Sequence, residues 1–154
     1  GMGAMKFYLL RVDPKKRMIF DPEESIDFHG FTGPFIQYTY ARIQSILRKV
    51  GEQNSASLEP LTEQKLLPLE RQLLIFLEKY DNIISQAAEE LNPSVIAGYV
   101  FHLAKTFNSF YAEHSVANAE SEEKKDLRLH LAVMTATVIK SGLQLLGIAV
   151  PDRM

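Results

Sequence analysis

Residues 32–51 read TGPFIQYTYARIQSILRKVG, and this stretch decides the fold. Thr32 or Gly33 can cap a helix, and Pro34 suits its first position, where a missing N–H costs nothing. Ile36, Tyr40, Ile43, Leu47 and Val50 then recur at spacings of four and three, the mark of a helix with one buried face. Gly51 is its expected end. At about 100° per residue the apolar stripe centres near Ile43. Tyr38 projects to the opposite side, and Arg42 lies one turn along from it. An aromatic ring and a guanidinium are therefore predicted on a face turned away from the core. Such a pair can stack a splayed base and hold a nearby phosphate. From spacing alone it also fits an ordinary exposed tyrosine beside a surface arginine.

Upstream, Gly3–Val12 reads as a short helix stopped by Asp13-Pro14, since proline disfavours a helical residue before it. Lys15 to Gly30 alternates around Met18–Phe20 and Ile26–Phe28 and is broken by Asp21-Pro22. It reads as an extended connector with room for brief strand pairing. Downstream, Glu52 to Gln64 is polar and serine-rich, a surface loop. Pro68 starts a helix with the stripe Leu69, Leu73, Phe76, Leu77 and Tyr80, and Asp81-Asn82 is expected to break it. Ile84, Ala87, Ala88 and Leu91 suggest another short helix. Asn92-Pro93 is a strong start signal for the next, whose stripe is Ile96, Val100, Leu103, Phe107 and Phe110. Val116 to Ser121 reads as a second loop. Glu122-Glu123 favours a helix start by complementing the macrodipole. Leu127, Leu131, Met134, Val138 and Leu145 form the last stripe. Gly142 inside it costs about 1 kcal/mol unless close helix packing offsets the loss. Gly147 is a natural stop, and Pro151 to Met154 is a short tail.

Four or five amphipathic helices with short connections predict an all-α bundle, with a short N-terminal helix and the extended connector before it. Alternating βα units are absent, so no nucleotide-binding sheet is expected. The expected division is 1–31 for the leading helix and connector and 32–154 for the bundle. The chain has 154 residues, 46% hydrophobic, enough for one core. It has no cysteine, which removes disulfides and thiolate chemistry and is compatible with the cytoplasm. No apolar run approaches the ~20 residues that span a bilayer, and no signal peptide is expected. The net charge of −2 argues against a broadly basic coat, so nucleic-acid binding has to come from a local face. Neither DNA nor a membrane is an expected partner, and a monomer is expected.

The catalytic inventory is thin. His29, His102, His114 and His130 lack metal-type spacing. Glu89-Glu90 and Glu122-Glu123 are helix neighbours that point about 100° apart and do not converge. No catalytic or metal-binding residue is assigned. Lys15-Lys16-Arg17 fits a solvated loop or a phosphate contact. Tyr111 lies at the margin of the stripe carrying Phe107 and Phe110, with Asn108 further out. A boundary tyrosine with a buried ring and a wet hydroxyl is common.

The run from Ile26 through Thr32-Gly33-Pro34-Phe35-Ile36-Gln37-Tyr38 to Ala41-Arg42-Ile43 resembles the opening of the anticodon-binding domain of arginyl-tRNA synthetases. The pattern T-G-P-[FY]-[IL]-Q-Y-x-x-[AS]-R is distinctive. Gly3–Leu10 is similar to the segment after that family's catalytic half, Ala104–Tyr111 to a helix of the same domain, and Leu145–Ile148 with Pro151–Met154 to its C-terminus. The resemblance covers nearly the whole chain, four times in order. It implies a helical bundle of the class I synthetase anticodon-binding type, and that residues 1–31 end the catalytic half. It implies an enzyme that uses ATP, with magnesium, to esterify arginine to its tRNA. The H-I-G-H and K-M-S-K-like motifs of that enzyme's active site are absent here. The chain is thus expected to be a C-terminal fragment, inactive alone and without cofactor. By resemblance, Tyr38 and Arg42 contact the tRNA-Arg anticodon stem-loop, Tyr111 and Met154 line the same site, and Gln37 belongs to the motif in an RNA-binding or structural role. The competing expectation is a non-catalytic helical module that binds protein. A self-contained enzyme is a third, weakened by the lack of a convergent catalytic set.

Overall fold

The computed structural model describes residues 1–51 and 65–154. The expected loop Glu52 to Gln64 lies outside the described residues. Among the described residues seven helices follow in order: α1 Met2–Leu10, α2 Pro22–Ser25, α3 Gly33–Gly51, α4 Pro68–Glu78, α5 Tyr80–Glu89, α6 Ser94–Glu113 and α7 Glu122–Leu145. No strand occurs among the described residues, so the all-α expectation holds and the strand pairing allowed for the connector does not form. Asp21-Pro22, read as a break, starts α2 instead. Asp21 Oδ1 accepts from the Glu23 and Glu24 N–H groups, and proline occupies the first helical turn.

Helix α6 is the axis of the bundle and touches α1, α3, α4, α5 and α7. Its stripe behaves as its spacing demands: Ile96, Val100, Leu103, Phe107 and Phe110 are all buried. Each such side chain removed from water contributes about 1.5–3 kcal/mol. Asn92 Oδ1 accepts from the Ser94 N–H at 3.0 Å, the cap its type suggests. On α3, Ile36, Tyr40, Ile43 and Val50 are buried and Leu47 half-buried. Thr32 Oγ1 accepts from the Phe35 N–H at 3.3 Å and donates to the Asp27 carbonyl. Helix α1 packs on α3, with Phe7 fully buried in the shared core.

Three helix readings need correction. The break after α4 falls at Lys79, so Tyr80 and Asp81-Asn82 form the first turn of α5. Within α5 only Ala87 is buried, and Leu91 beyond it is 83% exposed at φ 50. That left-handed residue lets Asn92 N–H reach the Ala87 carbonyl at 2.9 Å and turns the chain into α6. On α7, Met134 and Leu145 are exposed, while Arg128, Thr135, Ile139, Gly142 and Leu143 join Leu127 and Leu131 inside. Polar residues are tolerated there because each is satisfied. Thr135 Oγ1 donates to the Leu131 carbonyl at 2.7 Å. Arg128 donates to Glu70, Ser115 and Glu120.

Gly142 has the close contact its position requires: a methyl group there would lie 2.5 Å from Val100 Cγ1. Gly147, at φ 70, closes α7 as expected. Its N–H donates to the Gln144 carbonyl and the Ile148 N–H to the Leu143 carbonyl, both at 2.9 Å, a Schellman cap. Ile148 is buried, and the tail then crosses α3.

Candidate nucleic-acid interface

Burial of the Ile36–Tyr40–Ile43 stripe leaves Tyr38 turned outward, 42% exposed. Arg42, one turn on, is half-buried and sets its guanidinium carbon 5.2 Å from the Tyr38 ring centre. A cation over an aromatic face at this distance is held by about 0.5–1 kcal/mol at an exposed site. Arg42 Nη1 also donates to Asn108 Oδ1 at 3.1 Å, and Asn108 Nδ2 donates to Thr39 Oγ1 at 2.9 Å. This chain from α6 to α3 fixes the guanidinium without pairing it to a carboxylate. Asn108 retains one amide N–H and one lone pair.

The connector supplies the opposite wall. The Phe28 ring meets Tyr38 edge-on, with centroids 6.3 Å apart and planes at 86°. Arg11 holds the connector in place. Its guanidinium lies 4.0 Å from the Tyr8 ring centre and donates to the Phe31 carbonyl and to Glu24, each at 2.6 Å. Hydrogen bonds from Arg11 and then Tyr8 keep the Glu24 carboxyl below its ordinary pKa.

The tail supplies the third wall. Gln37 Nε2 donates to the Ala149 carbonyl at 2.8 Å, and Arg48 Nη1 to the Asp152 carbonyl at 3.2 Å. Burial, then the nearby Asp152 carboxylate, raises the Tyr40 hydroxyl above its ordinary pKa. Held this way, the tail lays Met154, 58% exposed, beside Tyr38. The result is an open groove of about 580 Å³ lined by Phe28, His29, Phe35, Tyr38, Arg42, Asn108 and Met154.

Of the residues singled out in the sequence, Tyr38, Arg42 and Met154 thus share one concavity. Tyr111 stands apart from it: its ring stacks on Phe107, planes within 6° and centroids 6.1 Å apart. It lines a neighbouring hollow of about 190 Å³ together with Arg42, Ser45 and Lys49, so Arg42 bridges the two. Gln37 does not reach the groove; its amide is engaged with the tail. Lys15, Lys16 and Arg17 are exposed and line none of these hollows. Phe28, His29, Phe35 and Asn108 were not singled out as binding residues. The alternation around Ile26–Phe28 pointed to strand pairing, which does not form, and so did not place Phe28 or His29, and Asn108 is recognisable only once α6 lies against α3.

Among the described residues no group of three or more His, Asp or Glu side chains could hold a metal ion. Rings, a thioether, an amide and a guanidinium suit recognition of a flat, partly polar, partly anionic ligand. Among the described residues no helix is long and apolar enough to cross a membrane.

Residues 36–154 match the DALR anticodon binding domain. The chain is 49% identical over 154 residues to an arginine–tRNA ligase of Flavobacterium psychrophilum, covering all of this chain and 25% of that protein. It is 46% identical to the arginine–tRNA ligase of Parabacteroides distasonis, covering 26% of it. The chain therefore spans about a quarter of the length of the curated relatives it matches. Among solved structures, the arginyl-tRNA synthetase of Thermus thermophilus superposes with a TM-score of 0.87 at 34% identity, over 99% of this chain and 26% of that one. The arginyl-tRNA synthetase of Plasmodium falciparum superposes with a TM-score of 0.82 at 25% identity, over 99% of this chain and 26% of that one. The family match takes in nearly all of α3, everything through α7 and the tail bearing Met154, with Tyr38 and Arg42 inside it, so the chain belongs to the DALR anticodon-binding domain family.

Proposed function

We propose that this chain is the anticodon-recognition part of an arginine–tRNA ligase, gripping the anticodon stem-loop of tRNA-Arg while a separate catalytic part of the enzyme activates arginine with ATP and magnesium. The observation that carries this reading is the outward pair of Tyr38 and Arg42, set in a groove that Phe28 and Met154 complete. Unstacked loop bases lie against Tyr38 and the Met154 side chain, and a further base against Tyr111 across Arg42. Each base–aromatic stack contributes about 1–3 kcal/mol. Asn108, with a spare donor and acceptor, is placed to read a base edge, and a wrong base leaves those groups unpaired. Gln37 acts at one remove, by holding the tail that carries Met154. Recognition involves no bond making here; its contribution to catalysis is to position the distant acceptor end.

The reading assigns residues 1–31 to the junction with the catalytic part. In support, Met2, Met5 and Leu9 share an exposed apolar face of α1, which a preceding domain would cover. It also places the enzyme in the cytoplasm as a monomer, with no role for DNA. The test is a fluorescence titration with an RNA hairpin carrying an arginine anticodon, native or changed at its central base. The expected result is tighter binding of the native loop, with Tyr38→Ala weakening it about 5- to 150-fold, the equivalent of one lost stack. Equal binding in all combinations refutes the assignment.

A further inference from the structure

Beside the apolar groove lies a second hollow of about 370 Å³, lined by Tyr38, Ala41, Arg42, Ser45, Arg48, Arg153 and Met154. Its character is different. Arg42 and Arg48 rise from one side of α3, and the tail adds Arg153. No Asp or Glu side chain lines it, and among the described residues none of these three arginines is in an ion pair. Arg48 spends one of its five N–H groups on the Asp152 carbonyl and Arg42 one on Asn108, so most of their donors stay available. Three guanidiniums facing one hollow repel each other, and in a chain of net charge −2 such a concentration is local. A bound anion relieves the repulsion, and guanidinium forks match phosphate oxygens two at a time.

The two hollows share a wall made of Tyr38, Arg42 and Met154. A ligand that fills both needs a flat, largely apolar part joined by a short link to an anion, which is the chemistry of one nucleotide unit. We propose that the basic hollow of Arg42, Arg48 and Arg153 is a phosphodiester subsite for the nucleotide whose base lies against Tyr38. This rests on the nucleic-acid reading of the groove. It adds Arg48 and Arg153 as backbone contacts, which fix the strand's register while the groove reads its base.

The experiment uses the same RNA hairpin over a salt series with wild-type chain, Arg153→Gln, Arg48→Gln, Arg48→Lys and Tyr38→Ala. The slope of log affinity against log salt is expected to become shallower by about 0.7 for each guanidinium replaced by glutamine, as for a single strand. Preference for the native central base is expected to persist in these variants, and Arg48→Lys to keep most of the slope. A second probe carries a neutral methylphosphonate beside the central base. It should weaken wild-type binding while adding little to the loss already seen in Arg153→Gln. Unchanged slopes in both glutamine variants, or fully additive losses with the neutral linkage, overturn the subsite. If Tyr38→Ala binds like wild type while the slopes still fall, the base groove is refuted and the phosphate subsite stands.

Discussion

Replacing Glu70 by glutamine tests whether a charge cluster, and not only the apolar core, holds the far end of the bundle together. Glu70 is fully buried at the start of α4. It accepts from Lys124 Nζ at 2.6 Å, from Arg128 Nε at 3.0 Å and from the Leu67 N–H at 2.9 Å. Arg128, 2% exposed, also donates to the Ser115 carbonyl and to Glu120. The cluster therefore ties α4 and α7 to the loop whose Ala117 lines the same hollow as Tyr111. Breaking one side of a buried pair typically costs 3–5 kcal/mol, because the surviving charge stays buried. Glu120 remains as a partner, but its carboxylate is largely in water and compensates little. The expected loss is about 3 kcal/mol, measured by urea unfolding followed by circular dichroism. For a domain of this size that corresponds to a fall in Tm of roughly 6–12 °C.

The pH dependence supplies a second readout. Burial alone would raise the Glu70 pKa, but hydrogen bonds from Lys124, the Leu67 N–H and Arg128 outweigh it and hold the carboxyl below its ordinary value. A carboxyl depressed in the folded state contributes fully above its unfolded pKa, about 4.3, and the contribution is lost as pH falls through the lowered folded value. The wild-type and Glu70→Gln stability curves should therefore lie apart at neutral pH and converge in acid. A difference under about 1 kcal/mol at neutral pH, or one that is constant down to strong acid, refutes the reasoning.

Gly142→Ala should destabilise the chain by about 1–3 kcal/mol despite alanine's better helix propensity, because the methyl group meets Val100 Cγ1. Urea unfolding checks this, and adding Val100→Ala should relieve the clash. Gln37→Leu should release the Ala149 carbonyl and loosen the tail. In the hairpin titration it should weaken binding and, because the same tail carries Arg153, lower the salt slope by at most about 0.7, the change expected of Arg153→Gln.

Local chemistry wrote much of this fold into the sequence. Thr32-Gly33-Pro34, Asn92-Pro93 and Gly147 each act through atoms a few residues away, so their effects are legible without a tertiary structure. The stripes of α3 and α6 are legible for the same reason, because their faces are apolar along most of their length. So is the outward direction of Tyr38 and Arg42, a matter of helical angle alone. The break at Lys79, the start of α2 at Asp21-Pro22 and the inner face of α7 were not legible. Thr135 and Arg128 look like surface residues until the Leu131 carbonyl and Glu70 satisfy them, while Met134 and Leu145 look buried until packing of α7 on α3, α4 and α6 turns them out. Only the tertiary structure could bring Phe28 from the connector, Asn108 from α6 and Arg153 and Met154 from the tail onto one face of α3. Those contacts join residues far apart in the chain, and no local periodicity encodes which distant segment will cross a given helix.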